Sequence, residues 1–255
     1  MIEVKDIVKS FDGTVVLDHV STVLEDGKVN MIIGQSGSGK TVFMKSLIGL
    51  HAVDSGEILY DGRSLSSMRE KDIRMLHREV GMLFQGSALF DSMSVLENVL
   101  FPLEMFDHTM NDAEKRERAK FCLERVNIPE RAYDLMPAEI SGGMQKRVAI
   151  ARAISLNPKY LFCDEPNSGL DPKTSLVIDQ LIHDITEEYG ICTIVNSHDM
   201  NSILEIGDKV IFLRLGKLEW EGNRHEIYSS ENEALNDFVF ASELFKKIKA
   251  AGKQE

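Results

Sequence analysis

Gly34, Gln35, Ser36, Gly37, Ser38, Gly39, Lys40 and Thr41 stand between an apolar run, Val29, Met31, Ile32 and Ile33, and a segment at 42–48 with helical spacing. Strand, glycine-rich loop and helix in that order converge backbone N–H groups on an anion; the helix start adds partial positive charge and Lys40 a full one. Gly34, Gly37 and Gly39 allow the unusual dihedrals and the close approach, Ser36 and Ser38 line the cradle, and the Thr41 hydroxyl suits a magnesium ion. The pattern predicts an α/β fold with a nucleotide phosphate at the C-terminal end of a parallel strand.

Composition narrows what can surround that site. A chain of 255 residues with 43% hydrophobic content can bury a large core. No apolar run reaches the roughly 20 residues that cross a bilayer, and the start at Met1, Ile2, Glu3 lacks the marks of a signal peptide, so a cytosolic location is expected. A net charge of −12 argues against a sequence-independent grip on nucleic acid. Cys122, Cys163 and Cys192 lie in apolar segments at unrelated spacings, as small core residues do in a reducing compartment.

Along the chain, Ile2, Val4 and Ile7 alternate with charged residues, and the pattern repeats after Asp12-Gly13, which predicts an antiparallel β layer ahead of the phosphate loop. Phe11, in its first turn, is read either as a core aromatic or as a ring that stacks on adenine. From Ser87 to about Pro158, helical spacing takes over. Ser94 with Glu97, and Asn111 with Glu114, have capping-box spacing, and Ser141 opens a further helix. The α/β core resumes at Tyr160, Leu161, Phe162 and Cys163, and Asp164 and Glu165 fall at that strand's end, where ligands bind in open α/β sheets. Asp171-Pro172 starts another helix, and Ser197-His198 ends another strand. The fold expected is therefore a P-loop NTPase core with a mainly parallel sheet, an N-terminal antiparallel β layer and an inserted helical subdomain. Its core would span 1–86 and 159–223, its helical part 87–158, and a helical tail 224–255.

A phosphate loop alone does not separate kinases from GTPases or transport motors. The decisive companion is Ile140-Ser141-Gly142-Gly143-Met144-Gln145-Lys146-Arg147, a second glycine-rich helix start. Together with Lys40, Gln85, Asp164-Glu165, Ser168-Gly169-Leu170-Asp171 and His198 in this order, it closely resembles the ATP-binding-cassette ATPases over nearly the whole chain. The resemblance implies ATP and Mg2+ as ligands. It puts Lys40 on the β- and γ-phosphates and Thr41, Gln85 and Asp164 around magnesium. Glu165 becomes the general base for the attacking water, His198 a γ-phosphate contact, and Phe11 the adenine platform. Ser141, Gly142 and Gly143 would bind the γ-phosphate held by a second copy of the chain, with Asp171 communicating between the two in an ATP-sandwich homodimer.

The signature has Met144 where the family usually has Gln. With Met144, the stretch from Leu83 to Val95, the stretch from Glu97-Asn98-Val99 to Pro102-Leu103 and Leu135-Met136-Pro137-Ala138-Glu139 before the signature resemble the ATPases of Mla-type phospholipid transporters, which work with MCE proteins. That resemblance implies a peripheral place on the cytoplasmic face of the inner membrane, a permease subunit and a lipid cargo. A motor for another solute is the alternative, and a soluble cassette protein of translation or repair a more distant one. The apolar residues Leu89, Phe90, Met93, Leu100, Met105 and Phe106 are expected to form the groove in which a permease helix docks.

Overall fold

The computed structural model describes residues 1–241, so the part of the expected tail beyond Ala241 lies outside the described residues. The described residues form two compact units, 1–69 with 194–241 and 70–193.

In the first unit, strands β1 (Ile2–Phe11) and β2 (Thr14–Leu24) pair antiparallel, with Ile2 opposite Leu24 and Phe11 opposite Thr14. The hairpin turns on Asp12 and Gly13, both at positive φ, a backbone hand that matches the twist of the flanking strands. Strand β3 (Val29–Ile33) is buried throughout and leads into helix α1 (Lys40–Leu47). Strands β4 (Ser55–Tyr60) and β5 (Arg63–Ser64) complete an antiparallel sheet in the order β2-β1-β4-β5. This is the β layer expected ahead of the phosphate loop.

The second unit begins with α2 (Glu70–Arg78), β6 (Val80–Leu83), α3 (Val95–Phe106), α4 (Asp112–Arg125) and α5 (Gly142–Ile154). Both capping boxes are present: Ser94 and Glu97 at α3, Asn111 and Glu114 at α4. Ala119, Cys122 and Leu123 form the buried face of α4. Strand β7 (Tyr160–Asp164) runs parallel to β6, with Leu83 opposite Cys163, so Gln85 and the Asp164-Glu165 pair leave neighbouring strand ends. Helix α6 (Pro172–Tyr189) starts at Asp171 and stops at Gly190, whose φ of 61° is left-handed.

Strand β8 (Cys192–Asn196) carries the chain back to the first unit, followed by α7 (Met200–Ile206) and the hairpin of β9 (Lys209–Arg214) and β10 (Lys217–Gly222). Its turn is Leu215-Gly216, with β9 parallel to β3 and antiparallel to β10. Short helices α8 (Glu226–Ser229) and α9 (Glu233–Val239) close the described chain. All three cysteines are buried, as expected of core residues. Among the described residues, no helix is long and apolar enough to cross a membrane.

Candidate functional site

In the first unit, α1 begins on Gly39 at a φ of 103° with no side chain capping it, which leaves its first N–H groups for an outside acceptor. Lys40 is buried, and its ammonium spans the loop, donating to Gly34 O at 2.8 Å and Gln35 O at 3.1 Å. Ser38 is 5% exposed, and its Oγ has no hydrogen-bond partner among the described residues. A buried hydroxyl without a partner beside an uncapped helix start fits an anion in the loop. Ser36, Gly37 and Thr41 are exposed around it.

The three glycines of this loop do different things. A Cβ on Gly37 would meet nothing within 4 Å. On Gly34 it would lie 2.2 Å from Leu213 O, and on Gly39 2.9 Å from Val16 O. Those two are glycine because the β9–β10 hairpin and β2 press on the loop from behind, a reason that the phosphate pattern alone does not disclose. The same hairpin donates Gly216 N to Ser38 O at 3.2 Å. At the end of β8, Ser197 N donates to Ile32 O of β3 at 3.2 Å, so exposed His198 leaves from beside the strand that feeds the loop.

Phe11 is 39% exposed, which overturns a core role. Its ring meets His51 edge-on at 5.2 Å between centroids, and Lys9 Nζ stands 5.1 Å from its centroid. The ring is open on the surface, as a stacking platform must be.

In the second unit, Asp164 and Glu165 sit half-buried at the end of β7, and Glu165 holds a φ of 49°, a strained setting for a non-glycine residue. The Gln85 amide donates to Ser168 Oγ at 3.1 Å. Ser141 caps α5 by accepting from Met144 N at 3.3 Å, so the ordinary capping role is present too. Its O–H proton is still available to a ligand, because a hydroxyl accepts and donates at once. Ser141 and Gly142 are exposed, whereas a Cβ on Gly143 would lie 2.7 Å from Thr174 Cγ2. Asp171 is occupied by its own helix: Oδ1 accepts from Lys173 N and Thr174 N, and Oδ2 from Thr174 Oγ1 at 2.5 Å.

The expected docking groove is also in this unit. A cleft of about 840 Å³ is lined by Phe84, Phe90, Phe101, Met105 and Phe106, with Arg74, Arg78 and Arg152 among its cationic neighbours. Phe90, Met105 and Phe106 were expected there, but Leu100 is 8% exposed and belongs to the core face of α3. Asn98, buried on the same helix, was not foreseen in any role. It accepts from Phe90 N and donates to the carbonyls of Phe90, Met93 and Ser94, folding the loop that enters α3.

No cluster of three or more His, Cys, Asp or Glu side chains among the described residues is set to hold a metal by itself. Magnesium takes one or two hard oxygen ligands from protein and completes its shell with substrate phosphates and water, and the Thr41 hydroxyl in the first unit and the Asp164 carboxylate in the second are each donors of that type.

A phosphate loop on a parallel strand, an acidic strand end and a helical region with a second glycine-rich helix start define a P-loop ATPase. The family model described as ABC transporter matches residues 17–168, and the chain belongs to that family. It is 37% identical over 239 residues to the methionine import ATP-binding protein MetN of Clostridioides difficile, covering 94% of this chain and 74% of that one. It is 36% identical over 233 residues to the phosphonates import ATP-binding protein PhnC of Lactobacillus gasseri, covering 89% of each. The dimeric post-hydrolysis structure of the ATP-binding cassette MJ0796, bound to ADP and Pi, superposes with a TM-score of 0.79 at 32% identity, covering 88% of this chain and 99% of that one. The structure of cbiO1 from Clostridium perfringens, part of the transporter complex cbiONQ, superposes with a TM-score of 0.84 at 28% identity, covering 99% and 98%. The protein is thus an ATP-binding ATPase of the ABC family. The phospholipid expectation finds no support in these relatives, which are named for import of methionine and phosphonates.

Proposed function

We propose that this chain is the ATPase subunit of a membrane transporter, acting as a homodimer with an integral membrane permease and importing a small polar solute. The observation that carries the transport reading is the open, aromatic-floored cleft beside Gln85, which suits an apolar helix of a membrane subunit. Methionine- and phosphonate-import relatives favour a small solute over phospholipid.

Each candidate residue has a role in that scheme. Lys40 and His198 balance the charge that develops on the transferred phosphoryl group, and Glu165 orients and deprotonates the attacking water. Thr41, Gln85 and Asp164 would hold magnesium, Asp164 through water, and the ion would supply charge neutralisation to the phosphates. Gly34, Ser36, Gly37, Ser38 and Gly39 cradle the phosphates, and Phe11 takes the base. The helix start at exposed Ser141 and Gly142 and half-buried Gly143 serves the nucleotide of the second copy, so ATP joins two chains and its hydrolysis releases them. The motor then works on the cytoplasmic face of the membrane.

Phospholipid transport with an MCE protein is the second reading. It is supported by Met144 in the signature, by the stretches from Leu83 to Val95 and from Glu97 to Leu103, and by Leu135 to Glu139. Isolation of the native complex from membranes, with mass spectrometry of its proteins and bound small molecules, decides between them. A permease with a solute-binding protein is expected. An MCE protein with phospholipid overturns solute import, and recovery of no integral membrane protein overturns transport.

A further inference from the structure

Ser87 and Ala88 are adjacent non-glycine residues at φ of 62° and 49°. A left-handed pair of this kind persists only where its surroundings impose it. One side chain does so here. Arg152 donates from Nη2 to Ser87 O and from Nη1 to Ala88 O, each at 2.7 Å, and its guanidinium lies 5.9 Å from the Phe90 ring centroid. Earlier on the same helix, the buried Lys146 donates from Nζ to Gln85 O and reaches Phe84 O at 3.5 Å. Burial pushes both cations below their ordinary pKa. Desolvating an ammonium, which the Asp164 and Glu165 carboxylates offset only in part, and a half-buried guanidinium is an expensive way to close a loop, and ordinary turn residues would do it without that cost.

The two cations sit on α5, whose first residues follow Ser141, and the carbonyls they hold belong to the loop that carries Gln85 and ends in the cleft at Ala88 and Phe90. We propose that Arg152 and Lys146 are positioning residues that fasten the 84–90 loop to α5, so that any displacement of the helix start at Ser141 is delivered to Gln85 and to the cleft floor. Asn98 secures the far end of the same loop through Phe90. The inference rests on the docking reading only for what the cleft faces.

The test uses the full chain alone, so its outcome is separate from the identity of permease or solute. Amide hydrogen exchange of residues 87–90 and steady-state ATP hydrolysis are measured for wild type, Arg152→Ala, Arg152→Lys and Lys146→Met. Arg147→Ala serves as a control that weakens the same helical region elsewhere. Arg152→Ala is expected to speed exchange of these amides about tenfold or more, because local opening loses its restraint. Its kcat should fall while the KM for ATP stays within about twofold, as expected when binding is spared and Gln85 is misplaced. Arg152→Lys should recover part of both, and Arg147→Ala should leave loop exchange as in wild type. If Arg152→Ala does not fold, Arg152→Lys and Lys146→Met give the same reading. Loop exchange equal to wild type in these variants, or an opened loop with unchanged kcat, overturns the proposal.

Discussion

Arg118 and Arg147 cap each other's helices. From α4, Arg118 donates Nε to Ser155 O and Nη2 to Ile154 O, both at 3.0 Å, at the end of α5. From α5, Arg147 donates Nη1 to Val126 O at 3.2 Å and to Asn127 O at 2.5 Å, at the end of α4. Each helix thereby supplies the donors that the other's terminal carbonyls lack, with the added benefit of a cation at the negative end of a dipole. Arg147→Ala is expected to lower stability by about 2 kcal/mol, the scale for losing charge-assisted hydrogen bonds. Urea unfolding at unchanged m-value measures it, and a midpoint equal to wild type counts against the reciprocal cap.

Acid should loosen specific turns. The Thr174 hydroxyl and backbone N–H hold Asp171 below the usual carboxylate range, and Lys9 with the Ser10 N–H does the same for Asp54. Both folded pKa values lie below their unfolded ones. Their stabilisation is therefore complete above the unfolded value, near 4 for Asp, and is lost as pH falls through the lowered values. Asp171→Asn keeps a helix cap but removes the titrating charge. Its stability should decline less steeply between about pH 4 and pH 2 than that of wild type. Identical slopes in a urea titration at low salt would remove Asp171 from the acid response.

Local chemistry was legible in the sequence. The phosphate loop and the caps at Ser94, Asn111, Ser141 and Asp171 depend on partners a few residues away, so spacing alone discloses them. Long-range constraints were not. Gly34 answers to Leu213 and Gly143 to Thr174, neighbours that only the folded chain supplies, whereas the sequence explains both glycines only by the phosphate they approach. The same applies to Arg118, Arg147, Arg152 and Lys146, whose charges look like solvated surface in a helical pattern but end on backbone carbonyls. Leu100 has the apolar character of a docking residue, yet its helical phase turns it into the core. On the transport proposed above, the cargo is hidden for another reason: an ATPase subunit's sequence encodes nucleotide chemistry and docking, and a solute would touch neither.

Glu165 follows Asp164 at the end of β7 with strained backbone, an arrangement that aims a carboxylate rather than packs one. If it acts as the base, Glu165→Gln keeps the shape but cannot accept the proton. ATP binding should be retained while kcat falls by about 10²- to 10⁴-fold, the usual scale for general-base removal. Because the joined state is no longer discharged by hydrolysis, the variant should run as an ATP-dependent dimer in size-exclusion chromatography. Normal turnover would remove Glu165 from that role.

Gly143 separates packing from phosphate chemistry. A Cβ placed there would sit 2.7 Å from Thr174 Cγ2 on α6, closer than carbon atoms approach. Gly143→Ala is therefore expected to destabilise by about 1–3 kcal/mol, the range for overpacking, and to misplace the start of α5. Thr174→Ser removes the offending methyl but keeps the hydroxyl that bonds Asp171 Oδ2, so the cap of α6 survives. In the double variant both the thermal midpoint and the ATPase rate should return most of the way to wild type. Recovery of stability without recovery of hydrolysis would give a different answer: Gly143 would then be glycine chiefly because a nucleotide, rather than Thr174, needs the space.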